Sequence, residues 1–362
     1  MYTTSGSFSL GKLSGIPFRV HWSVVLIAVF FGASLAAQYG TVGAIVAIVA
    51  FLGSIVAHEL AHALTARRYG VKTTAIQLWA LGGVAQLDRE APTARAEGWI
   101  AVAGPLASFS IALVSGGAVI GALALDHRSV AVDIVGWLGL VNLILAVFNL
   151  LPGSPLDGGR VLKAWRWGRH GDKFRAAKEA GNAGKAVGFS IAGVGAVMLF
   201  NDMPGLMLIV TGVFIALSAN AEIAATDLAQ RLQGVRVRDL TWFGVAHAST
   251  DTDADTMLWQ RSRLGGAGVV AVEQANGDLA GVVSEEQLLS LPVERRPFVA
   301  LAALMTPFDR VAQADPDEEL SAVLSRLNPS APFVTVWREG KLLGVVPKAK
   351  LLSKLKATAA QS

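Results

Sequence analysis

Hydrophobic and polar positions divide the chain into two unlike parts. Up to about residue 226, apolar runs alternate with short polar connections. Six runs, roughly 20–38, 42–66, 99–125, 130–152, 186–201 and 203–225, approach or exceed the 17–25 residues that a helix needs to cross a bilayer. Each predicts a transmembrane helix. Only Asn201-Asp202-Met203-Pro204 separates the fifth from the sixth, which predicts a tight helical hairpin. Gly and Ala are frequent in all six, and small side chains let helices approach closely in lipid. The first run opens near Val20 behind Lys12 and Arg19 and lasts a full span, so it reads as an uncleaved helix rather than a signal peptide.

Residues 71–90 depart from this pattern. Val71 to Trp79 alternates loosely, Gly82-Gly83 follows, and Val84 to Asp88 completes a second short piece. Two extended pieces around a Gly pair predict a β-hairpin. It is too short and too polar to span a bilayer, and an open strand edge at membrane depth is tolerated only where it is buried in protein or lines a wet cavity.

Beyond residue 226 the pattern becomes that of a soluble domain. Leu279-Ala280-Gly281-Val282-Val283 recurs as Leu342-Leu343-Gly344-Val345-Val346, and Val245-Ala246-His247-Ala248 is echoed by Val311-Ala312-Gln313-Ala314. A period of about 63–66 residues with strand–Gly–strand–helix texture predicts two copies of one α/β module, 235–298 and 299–356, in a single domain 235–356. The preceding residues, 1–228, form the six-helix domain.

Composition sharpens this division. Of 362 residues 53% are apolar and only 16% charged, against about 25% charged in an ordinary soluble protein, and the mean hydropathy is +0.50. These values exclude a disordered chain and argue against a wholly soluble one. The absence of Cys excludes disulfides, thiolate metal sites and a cysteine nucleophile. The net charge of +4 matters less than its placement. Arg67-Arg68 follow the second run, and residues 158–185 hold Arg160, Lys163, Arg166, Arg169, Lys173, Arg175, Lys178 and Lys185 against Asp172 and Glu179. Basic exits face the cytoplasm, so six spans place both termini on the cytoplasmic side of the cell membrane. At a juxtamembrane position the 158–185 run reads as a face for lipid headgroups rather than nucleic acid.

The candidate chemistry sits where the second run ends, in His58-Glu59-Leu60-Ala61-His62. Two His at i and i+4 lie on one helical face and can share a metal, with the Glu between them placed to take a proton from water. Ionisable groups in an apolar span are costly and call for a metal or a cavity. A catalytic zinc takes three protein ligands and leaves one position open. The candidate third ligand is Asp157, in Asn149-Leu150-Leu151-Pro152-Gly153-Ser154-Pro155-Leu156-Asp157-Gly158-Gly159, where two prolines and three glycines break the fourth run.

His-Glu-Leu-Ala-His on one transmembrane helix, joined to Asn-x-x-Pro-x-x-x-x-Asp-Gly on a later one, resembles the site-2 protease family of intramembrane zinc metalloproteases. The resemblance covers residues 10–225, including Gly82-Gly83 in the hairpin and Ala103-Gly104-Pro105 in the third run. It implies that His58, His62 and Asp157 bind one Zn2+, that Glu59 is the general base, and that Asn149, Gly82 and Gly83 help hold the substrate backbone or the developing oxyanion. It also implies cleavage of single-span membrane proteins, such as anti-sigma factors, in regulated intramembrane proteolysis. The tail resembles a tandem CBS pair. Pairs of that family hold adenosine nucleotides with a Ser or Thr and, three residues on, an Asp. Here those places read Ser284-Glu285-Glu286-Gln287 and Pro347-Lys348-Ala349-Lys350, so nucleotide binding and a structural, homodimerising role both stay open. The expected fold is therefore a polytopic α-helical membrane protein, with six transmembrane helices and a membrane-associated β-hairpin, plus a cytoplasmic α/β tandem CBS domain. The rival functions are a CBS-regulated transporter and a non-proteolytic ligand-sensing scaffold.

Overall fold

The computed structural model describes residues 6–79, 82–264, 268–324, 333–347 and 350–351. The chain divides into two compact units, residues 2–226 and 227–362.

In the first unit, helix α1 runs from Val24 to Arg68. Its 45 residues would form a straight rod of about 68 Å, twice the roughly 30 Å of a hydrocarbon core. Gly40 prevents this. Its φ of 74° and ψ of 167° lie outside the helical region, in a conformation that glycine adopts freely. The two arms fold back on each other, since Leu35 packs with Ala44 and Ala47 and Val24 packs with Ile55. These arms, 24–39 and 41–68, carry the first two expected runs.

Helices α2 (Ala94–Ala124), α3 (Val130–Asn149), α5 (Lys173–Phe200) and α6 (Leu206–Leu232) carry the other four. With α1, these are the described helices long and apolar enough to cross a membrane. Their surfaces expose Leu113, Val114, Ile120, Phe189 and Phe200, as lipid-facing helices should.

The basic stretch 158–185 folds as α4 (Asp157–His170) and the first half of α5. Its apolar stripe buries Ala164, Ala176, Ala177 and Ala180. Arg160 and Lys163 pair with the buried Glu97 of α2, while Arg166 and Arg175 both pair with Glu179. Glu222 accepts a hydrogen bond from Ser154 Oγ at 3.2 Å.

The expected hairpin is present as β3 (Thr73–Trp79) and β4 (Gly82–Leu87), but it is half of a larger sheet. Strands β1 (Ser7–Leu13) and β2 (Ile16–His21), which the hydrophobic pattern did not reveal, complete a four-stranded sheet in the order β1-β2-β3-β4. The β2–β3 pair is parallel and leaves β4 at the edge. Gly82 and Gly83 do not form the turn. They lie in β4 opposite Trp79 and Leu78, while residues 80–81 of the turn fall outside the described residues.

The second unit contains two four-stranded sheets. The first joins β6 (Ala246–Ser249), β7 (Val269–Glu273), β8 (Leu279–Ser284) and β9 (Thr306–Pro307). The second joins β10 (Gln313–Ala314), β11 (Phe333–Arg338), β12 (Lys341–Pro347) and β5 (Trp242–Phe243). Both repeat one parallel pair followed by two antiparallel pairs, the internal duplication expected of a CBS pair. The expected boundary at 298/299 does not separate the sheets, because each borrows its last strand from across it. Strand β9 closes the first sheet although it follows residue 299, and β5 closes the second although it precedes the first. At the place where the CBS family holds nucleotide, Ser284 instead caps a short helix: its Oγ accepts from Gln287 N at 3.2 Å, and Gln287 Oε1 accepts from Ser284 N at 2.8 Å. In the second copy Lys348 and Ala349 lie outside the described residues.

Candidate active site

The second arm of α1 carries His58, Glu59 and His62, all buried. Their spacing stacks the two imidazoles on one helical face, with ring centroids 4.9 Å apart. Asp157 arrives from the break after α3. That break is built on glycine: a Cβ at Gly159 would lie 2.2 Å from Ser154 N, and one at Gly184 of α5 would lie 1.9 Å from Ser154 O. The chain can therefore pack backbone against backbone, tied by Ser154 N to Ala180 O at 3.1 Å. This fixes Asp157 as the first residue of α4, facing α1.

Three ligand atoms converge. His58 Nε2 and His62 Nε2 each lie 3.2 Å from Asp157 Oδ2, and 3.2 Å from each other. Bonds of 2.0–2.1 Å at tetrahedral angles would separate ligand atoms by about 3.3 Å, so the trio outlines one face of a zinc tetrahedron. Its protonation points the same way. His62 Nδ1 lies 2.6 Å from the carbonyl of Ile100 and must donate to it, which leaves the lone pair of a neutral imidazole on Nε2. That lone pair then faces a carboxylate oxygen and a second imidazole nitrogen, an arrangement a cation satisfies. Ser108 Oγ, 2.9 Å from His58 Nδ1, orients the other ring. A carboxylate beside two imidazole lone pairs is a third donor of the kind zinc takes. Among the described residues no other group of His, Asp or Glu side chains converges in this way.

The trio opens into a cavity of about 280 Å³, which Glu59, Gly83, Asn149 and Arg160 also line. Glu59 is held at the edge of β4, where the backbone amide of Ala85 donates to its carboxylate. Gly83 is required here, since a Cβ would stand 2.3 Å from Glu59 Cγ. Asn149 reaches the cavity wall, with one amide hydrogen spent on Leu145 O at 3.0 Å. Gly82 precedes Gly83 in the same strand, opposite Trp79.

The roles of several contributors were not visible in the sequence. Ser108 and Ile100 support the imidazoles from α2. Gly104 stands so close that its Cβ would lie 2.2 Å from His62 Nε2 and 2.5 Å from His58 Nε2. Arg160 is anchored through Nε to Glu97 Oε1 at 3.1 Å. The one available signal was an acid, Glu97, at the entry to an apolar run.

This fold and site define an intramembrane zinc metalloprotease. Peptidase family M50 matches residues 46–125 and 117–194. The Mycobacterium tuberculosis protein named as the zinc metalloprotease Rip3 is 35% identical, over 89% of this chain and 86% of its own length. Zinc metalloprotease MJ0392 of Methanocaldococcus jannaschii is 27% identical, over 96% of this chain and 95% of its own. Among solved structures, a site-2 protease from Methanocaldococcus jannaschii is 30% identical and covers 60% of this chain and 95% of its own, with a TM-score of 0.45. The chain belongs to peptidase family M50. It is a multi-pass membrane protein with a site-2-type protease unit and zinc as its metal.

Proposed function

We propose that His58, His62 and Asp157 hold the zinc and that Glu59 is the general base for hydrolysis of a peptide bond in or near the transmembrane segment of a single-span protein. The convergence of three ligand atoms at 3.2 Å beside a buried carboxylate carries this reading. A bound zinc supplies a Lewis acid that makes water more acidic and polarises a carbonyl. The remaining steps belong to the chain. The Glu59 carboxylate takes the proton from the attacking water and delivers it to the leaving nitrogen. Asn149, with a second amide hydrogen still to give, steadies the substrate backbone or the developing oxyanion.

A helical substrate hides its carbonyls in i→i−4 hydrogen bonds and must unwind before it is cut. The free edge of β4, whose Gly83, Ala85 and Leu87 line the cavity, can receive the unwound stretch as an added strand. The basic exits place the cavity toward the cytoplasm, with both termini on that side of the cell membrane. The CBS pair modulates the protease and supports a homodimer, and an anti-sigma factor is a fitting substrate class. The test is cleavage of candidate single-span proteins by purified wild type and Glu59→Gln. The variant should keep its zinc and lose roughly 10²–10⁴-fold in rate. Wild-type cleavage by Glu59→Gln would remove Glu59 from the role of base.

A further inference from the structure

A second concavity, of about 740 Å³, lies between α2 and α4 outside the catalytic cavity. Its floor is made of small residues: a Cβ at Gly98 would meet Ala164 Cβ at 3.4 Å, so the two helices nearly touch. Trp99 of α2 and Trp165 of α4 rise beside it, 52% and 55% exposed. Arg95 and Arg169 complete the lining. The guanidinium of Arg169 lies 5.6 Å from the Trp165 ring, and among the described residues neither arginine forms an ion pair.

The depth of this groove follows from the sequence of α2. Arg95 and Glu97 are the last charged residues before an uncharged, largely apolar stretch to Ala124, so Trp99 lies where the helix enters lipid, the level at which Trp concentrates. Two unpaired cations from different helices, set around one apolar groove, repel each other unless an anion sits between them. Guanidinium groups pair with phosphate through paired, directional hydrogen bonds. An acyl chain would in turn cover the indoles and the Gly98–Ala164 floor.

We propose that this groove is a binding site for an anionic phospholipid, its phosphate held by Arg95 and Arg169 and its chain laid between Trp99 and Trp165. A free phosphate would use only the arginines, whereas the apolar lining specifies a lipid. Because α2 carries Ile100, the support of His62, and α4 begins with Asp157, such a lipid splints the two helices that complete the metal site. This consequence for activity rests on the function proposed above; the binding itself does not.

The experiment is native mass spectrometry of the full-length protein with phosphatidylglycerol or phosphatidylcholine, with zinc content measured on the same samples. Phosphatidylglycerol should be retained by wild type and bound about 30-fold more weakly by Arg95→Gln/Arg169→Gln, from about five-fold for each basic group at an anionic surface. Zinc should be unchanged, which reports an intact fold. Trp99→Ala/Trp165→Ala should weaken phosphatidylglycerol without removing the charge. Equal retention of phosphatidylglycerol by wild type and the arginine variant would overturn the site, as would equal binding of phosphatidylcholine. Displacement of the lipid by a single-span peptide that photocrosslinks to position 165 would give the groove to substrate instead. None of these readouts involves cleavage, so failure here is distinct from failure of the protease assignment.

Discussion

The two units bury different things. The interior of the C-terminal unit is apolar, with Val270, Val283, Leu288, Leu301, Phe333 and Val336 among its buried side chains and Thr241, Ser284 and Thr335 the buried polar residues described there. The membrane unit buries His58, Glu59, His62 and Glu97 as well as Ser108, Asn142 and Ser154. An ionisable group removed from water is strongly disfavoured unless paired or bound to metal. One interior is therefore explained by packing alone and the other is not. Chemistry is concentrated where polar groups are kept in an apolar setting against their cost, and the C-terminal unit shows no comparable cluster among its described residues.

The contrast breaks most sharply at Asp157. Asp157→Ala should abolish cleavage and cut zinc affinity by more than the roughly 10–100-fold typical of losing a supporting hydrogen bond. Elemental analysis of the purified variant checks this, and one zinc per chain in Asp157→Ala would show that the carboxylate is no ligand.

Gly104→Ala is nearly as severe and more diagnostic, because it removes no donor at all. The new methyl group would stand 2.2 Å from one ligand nitrogen and 2.5 Å from the other, within the space the metal needs. Zinc content and activity should fall together to near background while the protein still inserts and purifies. Gly188→Ala, another close helix contact remote from the trio, should leave zinc in place and serves as the control, since its methyl group would meet Gly212 O at 2.6 Å instead.

How much of this could be read beforehand divides along the same line. The closeness of His58 and His62 to Asp157 could be anticipated, because ionisable residues in an apolar run need a partner and the broken backbone after the fourth run offers one. The fold of α1 was legible because Gln38-Tyr39-Gly40-Thr41 interrupts the apolar pattern where the chain reverses. Strands β1 and β2 were not, since β1 is largely exposed along its length and the sheet forms only through a parallel pairing of β2 with β3, more than fifty residues away. The helices within 158–185 were masked by charge: their buried stripe is Ala and Gly, which carry little hydrophobic signal. The strand exchange between β5 and β9 was invisible in principle, because an internal repeat reports the module and not which copy supplies its edge. Gly104 entered only through the resemblance and Ser108 looks like an ordinary small residue of any membrane helix; their distances to the imidazoles give both a role.

Ser108→Ala tests the support of the metal site rather than its ligands. It removes the partner of His58 Nδ1 and little volume. Zinc should bind about 10–100-fold more weakly, and excess zinc in the assay should restore much of the activity. Rescue by zinc separates this variant from Asp157→Ala, whose missing ligand no concentration replaces.

The smallest effect on catalysis should come from the other interior. Val336 is fully buried beside Leu232, Val334 and Val346, and Val336→Ala removes two methyl groups there, at a cost of about 2 kcal/mol. For a unit of this size that lowers the midpoint of thermal unfolding by about 8 °C. Calorimetry should show the shift in the transition of the C-terminal unit, while zinc content and the basal rate of cleavage stay within about two-fold of wild type, because no ligand or supporting hydrogen bond has moved. If Val336→Ala instead lost zinc, the apolar interior would be part of the metal site's support. The separation between a unit that packs and a unit that reacts would then have to be given up.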